Sequence, residues 1–440
     1  MRVVPPLFVL VILFAAGPAS AQLRGLGAGG GLGGALPVSP LIHGVGDLTN
    51  RTAQDLTERL DDLATRRLDV AADLLSRHPD ALERSPQGDL IVRHQVVAYA
   101  PSDTALAAAA AAGFTVGETE TLDGLGTRVV VIDAPRGIST REALKRLHTL
   151  DPDGVYDYND IYLGSASGKT PNEAPRESMT GEGGGRVGLI DGGVDAQHPA
   201  LRGATVEQKG FAGAVVPSVH GTETGSLLVG RHDGFAGAAP GAQLFVADIY
   251  GNKPSGGSTG NLLRALDWMA QKRVAVINIS LVGPTNEPLR AAVATLVGRG
   301  YLIVAAVGND GPAAKPLYPA SFPGVVGVTG VDRKSRVLME AGRGPQVAFA
   351  APGADIAAAT TGGTFAKIRG TSFAAPIVAG LLARRLDTPD PTAANAALAA
   401  LAASAVDLGA PGRDPVYGAG LVGGDIRPDL HAANAGLKSH

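Results

Sequence analysis

From Arg186 onward the chain repeats one pattern, a short continuously apolar run followed by a helical stretch. The runs are Arg186 to Ile190, Gln243 to Tyr250, Val274 to Leu281, Tyr301 to Val307, Val325 to Val331 and Val347 to Ala350. A strand with one wet face alternates apolar and polar residues. These runs do not alternate, so both faces of the sheet must be buried. Helical patterns at Asn261 to Gln271 and Glu287 to Gly298 can cover them. The expected fold class is therefore α/β, with a mainly parallel sheet and helices on both faces. Aromatic residues make up only 4% of the chain, so Ala, Val, Leu and Ile must fill this core.

The residues ahead of this region read as a series of smaller segments. Residues 1–21 have Arg2, an apolar run from Leu7 to Ala16, and Ala19-Ser20-Ala21 before Gln22. That order is a signal peptide, so the protein is expected to be secreted, to the periplasm or beyond the cell. The run is too short to cross a bilayer, and no transmembrane segment is expected after its removal. Residues 22–47 form a Gly-rich linker whose formal G-x-G-x-x-G follows no strand. In residues 48–88, Leu56, Leu60, Leu63, Val70 and Leu74 recur at helical spacing, which predicts amphipathic helices.

Residues 90–163 read β-α-β-β-α-β, the order of a small α+β ferredoxin-like domain. Ser139 and Glu142 there have the spacing of a capping box. Residues 164–185 are a polar linker, 186–428 the large α/β domain, and 429–440 a C-terminal tail. Net charge is −3, from 38 basic and 41 acidic residues. No basic stripe stands out, so nucleic acid is not an expected partner. The chain has no cysteine, which excludes disulfides, thiolate metal sites and a thiol nucleophile.

Four short segments in the α/β region carry reactive groups. Asp191 ends the first apolar run, before Gly192-Gly193, and working groups of open α/β sheets gather at the carboxyl ends of strands. His220 opens a helical stretch among small residues, where its imidazole can act as a base. Asn309 follows Val304 to Gly308 at another strand end, placing a carboxamide that can donate to a developing oxyanion. Ser372 follows a predicted hairpin around Gly362-Gly363 and begins an apolar helix, whose free N–H groups favour negative charge. Taken singly, each has an ordinary alternative as a turn or capping residue.

Taken together, the order Asp, His, Asn, Ser, with gaps of 29, 89 and 63 residues, resembles the subtilisin-like serine proteases, the subtilases. Asp191-Gly192-Gly193, His220-Gly221-Thr222, Gly308-Asn309 and Gly370-Thr371-Ser372-Phe373-Ala374-Ala375-Pro376 match the blocks of that family. Gly237 to Ala242 and Asn278-Ile279-Ser280-Leu281 resemble two more, and the likeness runs from about Gly185 to Ile426. It implies a serine endopeptidase acting on polypeptide substrates. Asp191 would orient His220, His220 would deprotonate Ser372, and Asn309 with the Ser372 N–H would form an oxyanion hole. Ser280, Leu281, Val282 and Gly283, with Ala305, Ala306, Val307 and Gly308, would wall the pocket before the scissile bond. Ser255, Gly256 and Gly257 would pair with the substrate backbone.

The resemblance also implies that the ferredoxin-like segment is an inhibitory pro-region, the protein's own intramolecular partner, with processing in 164–185. It implies no cofactor for the chemistry and leaves room for structural calcium, whose ligands the sequence does not single out. Two readings compete with it: a catalytically inactive peptide-binding relative, and an active enzyme whose N-terminal region is a permanent interaction domain. The chain also departs from the family, with Glu223 where a second His often follows His-Gly-Thr and Gly192 where Ser or Thr is common. Two decoys fail. Gly256-Gly257-Ser258-Thr259-Gly260 lacks a strand directly before it and a downstream Asp and His in the order an esterase elbow needs. Gly164 to Thr170 is one residue short of a phosphate loop and is followed by Pro171.

Overall fold

The computed structural model describes residues 67–164 and 185–437. The signal peptide, the Gly-rich linker, the first part of the 48–88 segment and nearly all of the 164–185 linker lie outside the described residues. Of the 48–88 segment, residues 67–77 are helical (α1). The helical expectation fails for its end, because Leu82–Arg84 forms strand β1, paired antiparallel with the start of β2 (Leu90–Tyr99). Ser85 to Asp89 make the turn between them, with Gly88 at φ +92°. That hairpin signal, Pro86 to Gly88, breaks the helical period that precedes it.

The order then continues as α2 (Asp103–Ala111), β3 (Thr115–Leu122), β4 (Thr127–Asp133), α3 (Thr140–Leu150) and β5 (Val155–Asp160). Ser139 caps α3 by accepting the Glu142 N–H. Strand β2 lies between β4 and β5, and β3 flanks β4, all antiparallel. This is the ferredoxin-like arrangement with β1 added. Its strands are apolar on both faces. Val96, Ala98, Val130 and Ile132 pack with Ala109, Ala143 and Leu147 of the two helices. Val97, Tyr99 and Val129 point the other way, into a cluster shared with the large domain.

After the two-residue strand β6 (Leu163–Gly164), the large domain contributes β7 (Arg186–Asp191), β8 (Val206–Gly210), α4 (Val219–Val229), β9 (Arg231–His232), β10 (Phe235–Ala236) and β11 (Gln243–Asp248). It continues with α5 (Thr259–Gln271), β12 (Val276–Ile279), β13 (Leu281–Val282), α6 (Glu287–Gly298), β14 (Leu302–Ala306), β15 (Val326–Val331) and β16 (Val347–Pro352). Last come β17 (Ala354–Thr360), β18 (Thr364–Arg369), α7 (Thr371–Ala383), α8 (Pro391–Ala403) and α9 (Leu430–Leu437).

Seven strands form one parallel sheet in the order β16-β15-β14-β12-β7-β11-β8. Val187 and Leu189 of β7 join a cluster with α4 and α7 residues such as Leu227 and Val378. Ile190 joins Leu262, Leu266 and Leu296 of α5 and α6 on the opposite face. Both faces are thus covered, as the continuous apolar runs require. Strand β8 is not legible as an apolar run because it is an edge strand of sequence VEQKG with no fully buried residue. The 429–440 segment is not a free tail: α9 packs Ala433, with Leu430 and Leu437 beside it, against Phe235 and Phe365.

Candidate active site

Three strand ends and two helix starts meet at one edge of the parallel sheet. Asp191 is the last residue of β7 and is 1% exposed. Its Oδ1 accepts the Gly192 N–H at 2.7 Å, which fixes the carboxylate at the turn. His220 is the second residue of α4, whose N-cap Ser218 accepts the Gly221 N–H. The His220 Nδ1 lies 2.8 Å from Asp191 Oδ2 and 3.0 Å from Oδ1. Burial works to lower the His220 pKa and is the largest single influence. The Asp191 charge, its hydrogen bond and the Glu223 charge together outweigh it, leaving the pKa raised. The position where the family often has His thus holds a buried carboxylate one turn along α4 that favours the imidazolium.

Ser372 is fully buried in the first turn of α7. Gly370 before it has φ +148°, a conformation side chains rarely adopt, and lets the β17–β18 hairpin turn directly into the helix. The N-cap of α7 is Gly370, which has no side chain to cap it. Instead Asn309 reaches across and its Oδ1 accepts the Thr371 N–H at 3.1 Å, so the carboxamide nitrogen is free to face the site. Phe373 lies beside the imidazole, ring centroids 5.7 Å apart.

Pro376 lies inside α7, beyond its first turn. Lacking an N–H, it leaves the Ser372 carbonyl four residues earlier without a helical partner. Ser280 Oγ donates to that carbonyl at 2.8 Å and accepts from Asn278 Nδ2 at 2.9 Å. Ser280, expected in a pocket wall, therefore holds the backbone of Ser372.

Buried side-chain atoms here without a hydrogen-bond partner among the described residues include His220 Nε2, Ser372 Oγ and Asn309 Nδ2, together with Asn278 Oδ1 and Thr371 Oγ1 beside them. Native proteins pair nearly all such atoms, so each exception calls for a reason, and a catalytic role is one. Of the other expected residues, Ala305 and Ala306 are fully buried in β14, one in each of the clusters flanking the sheet. Gly308 has φ +97° and carries the chain from β14 into Asn309. Among the described residues, no cluster of three or more His, Asp or Glu could hold a metal ion.

The groove beside His220 contains the end of the N-terminal domain. Leu163 pairs antiparallel with Val282, and Gly164 with Leu281. On the other side the Tyr162 N–H donates to Gly257 O at 2.9 Å, and Ile161 bridges Ser258. Tyr162 is fully buried and donates its hydroxyl to Pro284 O at 3.0 Å. Its ring fills the space where a Cβ on Gly283 would lie, 2.5 Å from that position. Tyr250, which sequence reasoning did not single out, donates its hydroxyl to Tyr162 O at 3.1 Å. A Cβ added to Gly164 would lie 3.9 Å from His220 Cε1, so this end of the strand is beside the imidazole.

A second seam was also missed. Asp157 Oδ2 accepts the Glu287 N–H at the start of α6, Asn159 Oδ1 accepts the Gly260 N–H of α5, and Asn286 Nδ2 donates to Asp160 Oδ2 at 2.8 Å. The acidic tract 157–160 is the signal for it, since carboxylates and carboxamides suit helix N-termini.

The subtilase family profile matches residues 183–420, more than half of the chain. Subtilisin E of Bacillus subtilis is 31% identical over 247 residues, 54% of this chain and 64% of its own length. The minor extracellular protease Epr of the same organism is 34% identical over 208 residues, 46% of this chain and 32% of its own. The chain thus spans less than two thirds of these relatives. Fervidolysin of Fervidobacterium pennivorans, a solved keratinolytic enzyme related to subtilisin, shares the fold with a TM-score of 0.63 at 21% identity, over 80% of this chain and 62% of that one. No helix among the described residues is long and apolar enough to cross a membrane. From its profile match and its parallel-sheet architecture, the chain belongs to the subtilase family.

Proposed function

We propose that the protein is a secreted serine endopeptidase made as a self-inhibited precursor. Ser372 Oγ attacks the substrate carbonyl while its proton passes to His220 Nε2, and His220 returns that proton to the leaving amine. Water repeats the cycle on the acyl-enzyme and frees Ser372. Asp191, bonded to Nδ1, holds the ring and stabilises its cationic form. Asn309 Nδ2 and the Ser372 N–H receive the oxyanion. The observation carrying this reading is the set of unpaired atoms, His220 Nε2, Ser372 Oγ and Asn309 Nδ2, contributed by three different elements.

The pro-region is the N-terminal domain ending in β6. Its strand at 161–164 lies between Gly257 and β13 as an extended substrate would, which supports intramolecular inhibition. Cleavage falls between about Leu163 and Glu182, in the linker that follows. Secretion rests on the residue 1–21 pattern. The test is expression of the full chain without other proteases. Ser372→Ala should accumulate as an uncut precursor beginning at Gln22 and hydrolyse no peptide, while the parent chain yields a shorter active fragment. A Ser372→Ala chain that is still cut and active would remove the reading. A parent chain that stays full length and active would make the N-terminal domain a permanent one.

A further inference from the structure

Helix α1 stands outside the cluster that α2 and α3 form with the sheet, yet it is held at two points. Ala71 is buried in a small apolar cluster with Leu82, Leu90 and Val92 of the β1–β2 hairpin and with Ile161 and Leu163, and Leu74 and Leu75 pack against it. Ile161 and Leu163 belong to the strand that occupies the groove, so the outward side chains of that strand are covered by α1 and the hairpin. At the start of the described helix, Arg67 Nε donates to Asp310 Oδ2 at 2.7 Å, with side-chain exposures of 21% and 15%. Asp310 is the neighbour of Asn309, so the ion pair ties α1 to the loop bearing the oxyanion donor. The chain passes from Arg67 down α1 and through the hairpin, and after the rest of the ferredoxin-like domain it returns beside them along Ile161 to Gly164. The groove strand is thereby flanked by Gly257 and β13 and packed against by a helix anchored to the large domain.

We propose that α1 is an autoinhibitory strap, and that the Arg67–Asp310 ion pair latches it over the 161–164 strand. This rests on the pro-region reading above. Opening the latch would loosen the groove strand without altering the sheet behind it, so activation would have two stages: release of α1, then departure of the strand. A half-buried, charge-assisted pair changes a local opening equilibrium by about fivefold.

The test is amide hydrogen exchange on the full-length Ser372→Ala precursor, in which no self-cleavage intervenes. In the parent precursor the amides of 161–164 should be protected, the Tyr162 N–H by Gly257 O among them. Arg67→Ala should speed exchange in 67–77 and 161–164 about fivefold while leaving α2 and α3 unchanged. Asp310→Asn, made outside the pro-region, should do the same, and the double variant should exceed neither single one, because both remove one bond. Unchanged 161–164 exchange in either single variant, or additive effects in the double one, would overturn the strap. Unprotected 161–164 amides in the parent would overturn groove occupancy itself, and the strap with it.

Discussion

The Ser280 hydroxyl is the most exacting place to test the site's construction. Ser280→Ala leaves two buried polar groups short of a partner, the Ser372 carbonyl and the Asn278 carboxamide, both in fully buried residues. Each orphaned group costs about 1–3 kcal/mol, so a loss of about 2–6 kcal/mol is expected. Pro376→Ala adds an N–H at the position that normally serves the Ser372 carbonyl. In the Ser280→Ala background it should therefore recover about 1 kcal/mol more than it does with Ser280 present. All variants are made with Ser372→Ala, which prevents self-digestion and keeps the carbonyl in question. Urea unfolding followed by Trp268, the single tryptophan, reads the stability. A Ser280→Ala loss below about 0.5 kcal/mol, or additive behaviour of the two substitutions, would refute the argument.

The other expectations concern catalysis and docking. Asn309→Ala should lower kcat by about 10²–10³ with KM little changed, the loss known for removing this kind of donor from a subtilisin, a relative of this protein. A change in KM alone would make Asn309 a substrate contact. The Asp160 carboxyl at the seam has its pKa raised by burial and by the charges of Asp157 and Asp89, against the hydrogen bond from Asn286. A group whose pKa is raised in the docked state takes up a proton on docking. Its contribution is full below the ordinary carboxylate range and is lost as pH rises through the raised value. Protection of the 161–164 amides in the Ser372→Ala precursor should therefore weaken from pH 4 toward alkaline pH, and Asp160→Asn should flatten that slope. A slope unaffected by Asp160→Asn would assign it to other groups.

The parallel sheet was legible because β7, β12 and β14 are buried on both faces and so carry unbroken apolar runs. Strand β8 was not, because an edge strand made of Glu, Gln and Lys has no such signature. The Asp191, His220, Asn309 and Ser372 segments could be read only as a set, because their order and flanking glycines resemble the blocks of the subtilases, whereas each alone is compatible with a turn or a cap. Ser280 could be located but not interpreted: its bond depends on a carbonyl 92 residues away that only the position of Pro376 inside α7 leaves open. Short-range patterns carry no information of that kind. The same limit applies to Tyr162, whose burial depends on Gly283 and Pro284 across the groove, and to Arg67, whose partner is 243 residues away.

The sheet of the N-terminal domain has two apolar faces but only one pair of helices of its own. Val97, Tyr99, Leu122 and Val129 are covered by the large domain, in a cluster with Leu263, Leu266 and Leu296. Once cut and detached, this domain would carry an uncovered apolar face on a small sheet, which would lower its stability and invite local opening. A loosened polypeptide is what a protease digests. On the proposed reading, the geometry that would make the domain an inhibitor in place would also make it a short-lived one in solution, and would give activation a direction: each departure would be followed by destruction, not by rebinding.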